Sequence, residues 1–171
     1  SSTVTASTVI GAASADSISL SGANDDLTFS SATGAKVYAG SGSDTINFVG
    51  TAVGNTIDLG VTDPTGTANR LEFASTASNN YVQGGSGDDV IRFEDLSSRD
   101  LVLSGAGNDT VRFLSAATAS TVIASDGNDL IAFTASAVGV SVSGGVGNDV
   151  VLLLNAATNS NVDGGDGNDS V

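Results

Sequence analysis

The chain has 171 residues and no Cys, His, Met or Trp, and its 19 acidic residues against 5 basic ones give a formal net charge of −14. That balance excludes nucleic acid and anionic membrane surfaces as partners, because both need a basic footprint. The lack of Cys excludes a disulfide scaffold and thiol chemistry. No apolar run is long enough to insert in a bilayer, and no signal peptide is visible.

In chain order, a Ser/Thr-rich start leads to a first repeat in which Asp16 and Asp25, Ile18 and Leu27, and Leu20 and Phe29 stand nine residues apart. A longer period then takes over. Phe29, Phe48, Phe73, Phe93, Phe113, Phe133 and Leu153 follow in steps of 19, 25, 20, 20, 20 and 20. A second column, Val37, Ile57, Val82, Val102, Val122, Val142 and Val162, keeps the same register. Both columns absorb a five-residue excess between Ile57 and Phe73, which predicts an insertion loop over 59–68. Pro64 lies there, and proline cannot donate to a strand ladder. The chain lacks an initiator Met and stops inside a repeat, so one unit spanning 1–171, cut from a longer protein, is expected.

Beyond the insertion one phrase recurs as GGSGDD, GAGNDT, SDGNDL, GGVGND and GGDGND, which puts Asp89, Asp109, Asp129, Asp149 and Asp169 at intervals of 20. Within each repeat the apolar residues alternate, as strands require: Val111 and Phe113 face one way, Thr110 and Arg112 the other. Two short strands per repeat are predicted, joined by the glycine phrase at one turn and by a small-residue run, such as residues 115–120, at the other. A unit this small cannot bury its own apolar face, so neighbours must stack. The prediction is an all-β, right-handed parallel β-roll (a β-solenoid) of seven to eight coils of about 20 residues, with about 4.8 Å per rung. Outward positions include Leu130, Val150 and Leu152 on one sheet and Leu101, Leu103 and Ile123 on the other.

A fixed period carrying a carboxylate calls for a cation. Carboxylates about 4.8 Å apart repel by roughly 3 to 4 kcal/mol at an effective dielectric near 20. Ca²⁺ relieves that repulsion, since it accepts six to eight oxygen ligands, carboxylates and backbone carbonyls alike. Glycines supply carbonyls, because they tolerate positive φ in a tight turn. Asn69 replaces the Asp in the third coil, which predicts a lost or altered metal site. The ions are expected along one edge only. Asp16 lies on the opposite edge, with Thr33, Gly34 and Ala35 one rung later, and is not expected to hold metal.

GGVGNDVV (144–151), GGDGNDSV (164–171) and QGGSGDDVI (83–91) resemble the calcium-binding repeats-in-toxin (RTX) nonapeptide, GGxGxDx followed by an apolar residue. The resemblance covers residues 11–171 apart from the insertion. It implies several Ca²⁺ ions between successive turns, held by Asp25, Asp44, Asp89, Asp109, Asp129, Asp149 and Asp169. It also implies carbonyl ligands near Gly40, Gly42, Gly85, Gly87, Gly105, Gly107, Gly127, Gly145, Gly147, Gly165 and Gly167. A catalytic role is not expected: there is no His or Cys, and the carboxylates repeat where an active site would be unique.

The outward apolar groups and the Ser/Thr/Ala/Gly-rich composition favour a secreted structural protein of the bacterial cell surface, an S-layer lattice subunit or an adhesin segment. Self-association or flanking domains of the same protein are the expected partners besides calcium. Two alternatives stand beside it: a calcium-triggered secretion and folding module of an RTX toxin or enzyme, and an ice-binding adhesin domain. The second lacks a Thr row, since the residue between the glycines is Ser86, Ala106, Asp126, Val146 or Asp166.

Overall fold

A computed structural model describes residues 9–20, 22, 24–60 and 66–171, and the side chains from 14 onward. The expected loop over 59–68 therefore falls partly outside the described residues, at 61–65. Every described element is a β-strand, and the chain forms a parallel solenoid of about seven coils. One sheet has 14 strands and the other 8, among the described residues. Equivalent strands of successive coils pair in register, as Val90–Phe93 does with Thr110–Phe113 and then Leu130–Phe133. In-register parallel pairing follows from the sequence period, because it lays like residues on like at every rung.

The core is narrow and built in files. Phe29, Phe48, Phe73, Phe93, Phe113 and Phe133 are fully buried, with ring centroids 4.5 to 5.0 Å apart and planes within 14° of parallel. A second file of Leu27, Ile46, Leu71, Ile91, Val111, Ile131 and Val151 lies beside it, and the Val37 to Val142 file faces both across the roll. Rings stacked at the pitch of the backbone ladder add offset-stacking attraction to area burial. The widest step, 5.0 Å, is Phe48 to Phe73, so the 25-residue coil keeps the stack intact. Leu59, at the start of that coil's extra length, is buried in the core.

Two sequence expectations need correction. Each regular coil has three strands, not two: between Val90–Phe93 and Leu101–Ala106 lies the two-residue strand Ser97–Ser98. Its equivalents form their own ladder, with Ala52, Ala77, Ser97, Ala117 and Ala137 turned inward. Small side chains let this side of the coil approach the core closely. The corner after it sits in the left-handed region, at Gly54, Asn79, Arg99, Ala119 and Gly139, with φ between 53° and 64°. That region costs a residue with a Cβ about 1 to 2 kcal/mol, a cost borne at Asn79, Arg99 and Ala119 and absent at Gly54 and Gly139. The alternation itself hid this ladder, because a two-residue strand is too short to show a period.

The second correction concerns the outward apolar groups. Only Ile123, at 39 %, is exposed; Leu101, Leu103, Leu130, Val150 and Leu152 are half-buried. Side chains one rung apart in the same file cover each other's flanks, which single-coil alternation cannot show.

Candidate metal centre

The glycine phrase builds one turn of the roll. Gly40, Gly42, Gly85, Gly87, Gly105, Gly107, Gly127, Gly145, Gly147, Gly165 and Gly167 all have positive φ, from 93° to 149°. Ser125 takes the same conformation at 87°, in the file of Gly85, Gly105 and Gly145. The last glycine of each phrase is needed for space as well: a Cβ on Gly127 would lie 1.8 Å from the Gly107 carbonyl oxygen, and one on Gly147 1.7 Å from that of Gly127. These carbonyls therefore point along the stack toward the next coil.

The turn carries its Asp inward. Asp25, Asp44, Asp89, Asp109, Asp129 and Asp149 are buried and Asp169 is half-buried. Each carboxylate reaches back one coil. The backbone N–H of Asp89 donates to Oδ1 of Asp109 (2.8 Å), that of Asp109 to Asp129 (2.7 Å), that of Asp129 to Asp149 (2.8 Å) and that of Asp149 to Asp169 (2.9 Å). At the other end of the row, Asp25 donates to Asp44 and Asp44 to Asn69.

The second oxygen is the chemically informative one. Oδ2 of Asp89, Asp129 and Asp149 is buried with no hydrogen-bond partner. It points across the turn toward the preceding strand, where a Cβ on Gly84 or Gly144 would lie 2.6 or 2.3 Å from it. A buried ionised oxygen without a donor is a strongly unfavourable arrangement. Burial pushes the Asp89 carboxyl up to about 8 and that of Asp129 up to about 6, and raises that of Asp109. At Asp89 and Asp129 the neighbouring carboxylates add to this as a smaller effect, and backbone hydrogen bonds oppose it. Desolvation is thus the larger cause at Asp89 and Asp129, and repulsion between carboxylates the smaller one.

Such a row fits a hard cation. A divalent ion supplies the charge that the Oδ2 atoms lack and takes oxygen ligands without demanding a fixed geometry. No three carboxylates come together among the described residues. Each interval offers two, and turn carbonyls would have to complete any coordination shell.

Asn69 shows what the same position does without a charge. Its Oδ1 accepts the N–H of Asp44 (2.9 Å), and its Nδ2 donates to the carbonyls of Leu59 (2.8 Å) and Thr67 (3.2 Å). The amide satisfies both of its ends with protein groups. Asp16 is exposed on the opposite side, where its backbone carbonyl accepts the Lys36 N–H.

The sequence reading missed a second buried polar row at that opposite turn. Asn55, Asn80, Asp100 and Ser120 are each 1 % exposed or less. Asn55 N–H and Nδ2 both donate to Oδ1 of Asn80 (3.0 and 2.9 Å), and Asn80 N–H and Nδ2 both donate to Oδ1 of Asp100 (2.9 Å each). The Ser97 hydroxyl donates to Asp100 Oδ2 at 2.8 Å. Burial raises the Asp100 carboxyl, and these bonds oppose the rise. The period could have revealed this file, since Asn55, Asn80, Asp100, Ser120 and Ser160 keep the register of the apolar columns.

The described coils form a β-solenoid, a repeat protein with inward carboxylates at one glycine turn. The particular family agrees: the RTX calcium-binding nonapeptide repeat (4 copies) matches residues 74–95, the segment that contains Gly84 to Asp89, and there the chain carries an RTX calcium-binding repeat. The phrases at Asp109, Asp129, Asp149 and Asp169 repeat that segment's spacing. No curated protein and no solved structure matches the chain.

Proposed function

We propose that this chain is a calcium-binding structural module of a secreted bacterial cell-surface protein, of the S-layer or adhesin kind, that folds when it meets Ca²⁺ outside the cell. The observation that carries the reading is the row of buried, unpartnered Oδ2 atoms at Asp89, Asp129 and Asp149. A fold that requires several such charges to be desolvated together is poorly stable on its own, because the net stability of a whole domain is only about 5 to 15 kcal/mol. Asp25, Asp44, Asp89, Asp109, Asp129, Asp149 and Asp169 would hold the ions, with carbonyls of the positive-φ glycines. Binding that is restricted to the folded state becomes folding free energy. The chain therefore stays extended and exportable where calcium is scarce, and its coils stack where calcium is abundant. RTX repeats occur in secreted bacterial proteins, which supports the location.

Circular dichroism in chelator and in millimolar Ca²⁺ tests this directly. The β-sheet signal is expected only with calcium, with calorimetry showing several ions bound per chain. A full β-sheet spectrum at neutral pH in chelator, unchanged by calcium, overturns it.

A further inference from the structure

The outward faces of the two sheets are complementary in charge. On the larger sheet, the outward files from Thr110 onward carry no acidic residue in a chain that has 19. Arg70, Arg92 and Arg112, three of the five basic residues, line a shallow pocket on this face with Val90 and Thr110. Arg70 and Arg92 pair with Glu72 and Glu94. Arg112 is exposed and makes no ion pair among the described residues. Along its file it is followed by Ala132 and Leu152.

On the smaller sheet the file Leu103, Ile123, Ser143 and Asp163 runs from apolar to acidic. Ile123 and Asp163 are exposed, and so are Asp126 and Asp166 beside them. No basic residue follows Arg112 in the chain, so this region of the sheet is uniformly acidic where it is charged.

We propose that the larger sheet's outer face docks on the smaller sheet's outer face of a second copy, with the two stacks antiparallel, Arg112 against Asp163 and Leu152 against Ile123. The register carries the argument. In both files the charged residue and the apolar one are two rungs apart, about 9.6 Å at about 4.8 Å per rung. One alignment therefore matches charge to charge and apolar to apolar. Ala132 and Ser143, between them, are small and permit close approach. Arginine is also among the residues that specific interfaces concentrate. The two patches differ, so the contact is heterologous: a docked pair keeps one free face of each kind, and copies add head to tail instead of closing as a dimer. The contact requires a folded roll and in that respect rests on the calcium reading above.

Sedimentation velocity of the chain in Ca²⁺, with circular dichroism on the same samples, tests the two separately. A flat dichroism response to calcium counts against the folding reading alone, whatever the sedimentation shows. For folded samples, the wild type is expected to sediment faster as its concentration rises. Arg112→Glu and Asp163→Arg should each remain monomeric with an unchanged spectrum. An equimolar mixture of the two should regain concentration-dependent growth, because each variant's altered face meets an opposite charge on the other variant. The double variant R112E/D163R should regain concentration-dependent growth. A folded wild type that stays monomeric, an Arg112→Glu chain that associates like the wild type, or a double variant that fails to recover overturns the proposal. Association insensitive to Arg112 would assign these faces to other segments or partners.

Discussion

The two turns of the roll bury polar rows by the same device and with opposite results. At both, a side-chain oxygen accepts the backbone N–H of the equivalent residue one coil earlier: Asp129 Oδ1 from Asp109 at one turn, Asn80 Oδ1 from Asn55 at the other. The amide row then closes on itself, because each Asn has an Nδ2 to donate to the next oxygen. Its one carboxylate, Asp100, receives the Ser97 hydroxyl on its second oxygen. In the carboxylate row, Oδ2 remains unpartnered at Asp89, Asp129 and Asp149. A change from amide to carboxylate, with the backbone unaltered, separates a row that is complete from one that needs a counter-charge.

That contrast can be broken most severely by converting one row into the other. Replacing Asp89, Asp109, Asp129 and Asp149 together with Asn is expected to give a roll that folds in chelator and binds fewer calcium ions, with Asn69 as the precedent. At about 1 to 3 kcal/mol for each polar group relieved, the variant should show a cooperative melting transition in chelator where the wild type shows none. A quadruple variant still unfolded by chelator would show that the rows differ in something other than charge.

The reverse exchange comes next in size. Asn80→Asp removes the Nδ2 donor to Asp100 and to the Ala52 carbonyl and sets two carboxylates together. A loss of about 2 to 4 kcal/mol is expected, read by urea unfolding in saturating Ca²⁺. Full rescue by calcium would mean that the far turn can also bind it.

A smaller effect should follow pH in chelator. The Asp89 and Asp129 carboxyls are raised from an ordinary value of 3.8 to about 8 and about 6, so the folded state holds protons that the unfolded state releases. Stability must then rise as pH falls from about 8 toward 4 and be lost as pH rises through the same window. In chelator the β-sheet signal, lacking at pH 8, should grow as pH falls toward 5, and the dependence on pH should be much smaller with calcium bound. The opposite slope would mean that these carboxylates are ionised and satisfied in the calcium-free fold.

The smallest expected effect is at Asp16, which is exposed. Asp16→Ala should change stability by less than about 0.5 kcal/mol and leave calcium stoichiometry unchanged, whereas Asp129→Ala should lower it.

Much of this was legible in the sequence because stacking turns spatial neighbours into a period. The Phe file and the Asp file each keep one residue type, and both were readable as columns. The far polar row keeps the register but changes type, from Asn55 and Asn80 to Asp100, Ser120 and Val140, so no single letter recurs. Its meaning lies in buried hydrogen bonds between different side chains. The inward aim of the Asp carboxylates was equally hidden. Spacing shows that Asp89 and Asp109 are neighbours, but it does not show which oxygen a backbone N–H will take. Nor could alternation show that Leu101 and Leu130 are half-covered, since what covers them comes from adjacent coils.

The in-register ladders also have a mechanical consequence. Strands lie across the stack axis, and each coil is held to the next by hydrogen bonds directed along it, such as Thr110 N–H to Asp89 O and Leu130 N–H to Asp109 O. Tension applied at the two ends therefore peels one coil at a time, each extension releasing about 20 residues of slack while the remaining coils keep only their nearest neighbours. The roll would behave as a ratcheted tether that dissipates load in small equal steps. The 25-residue coil would register as one longer step among them.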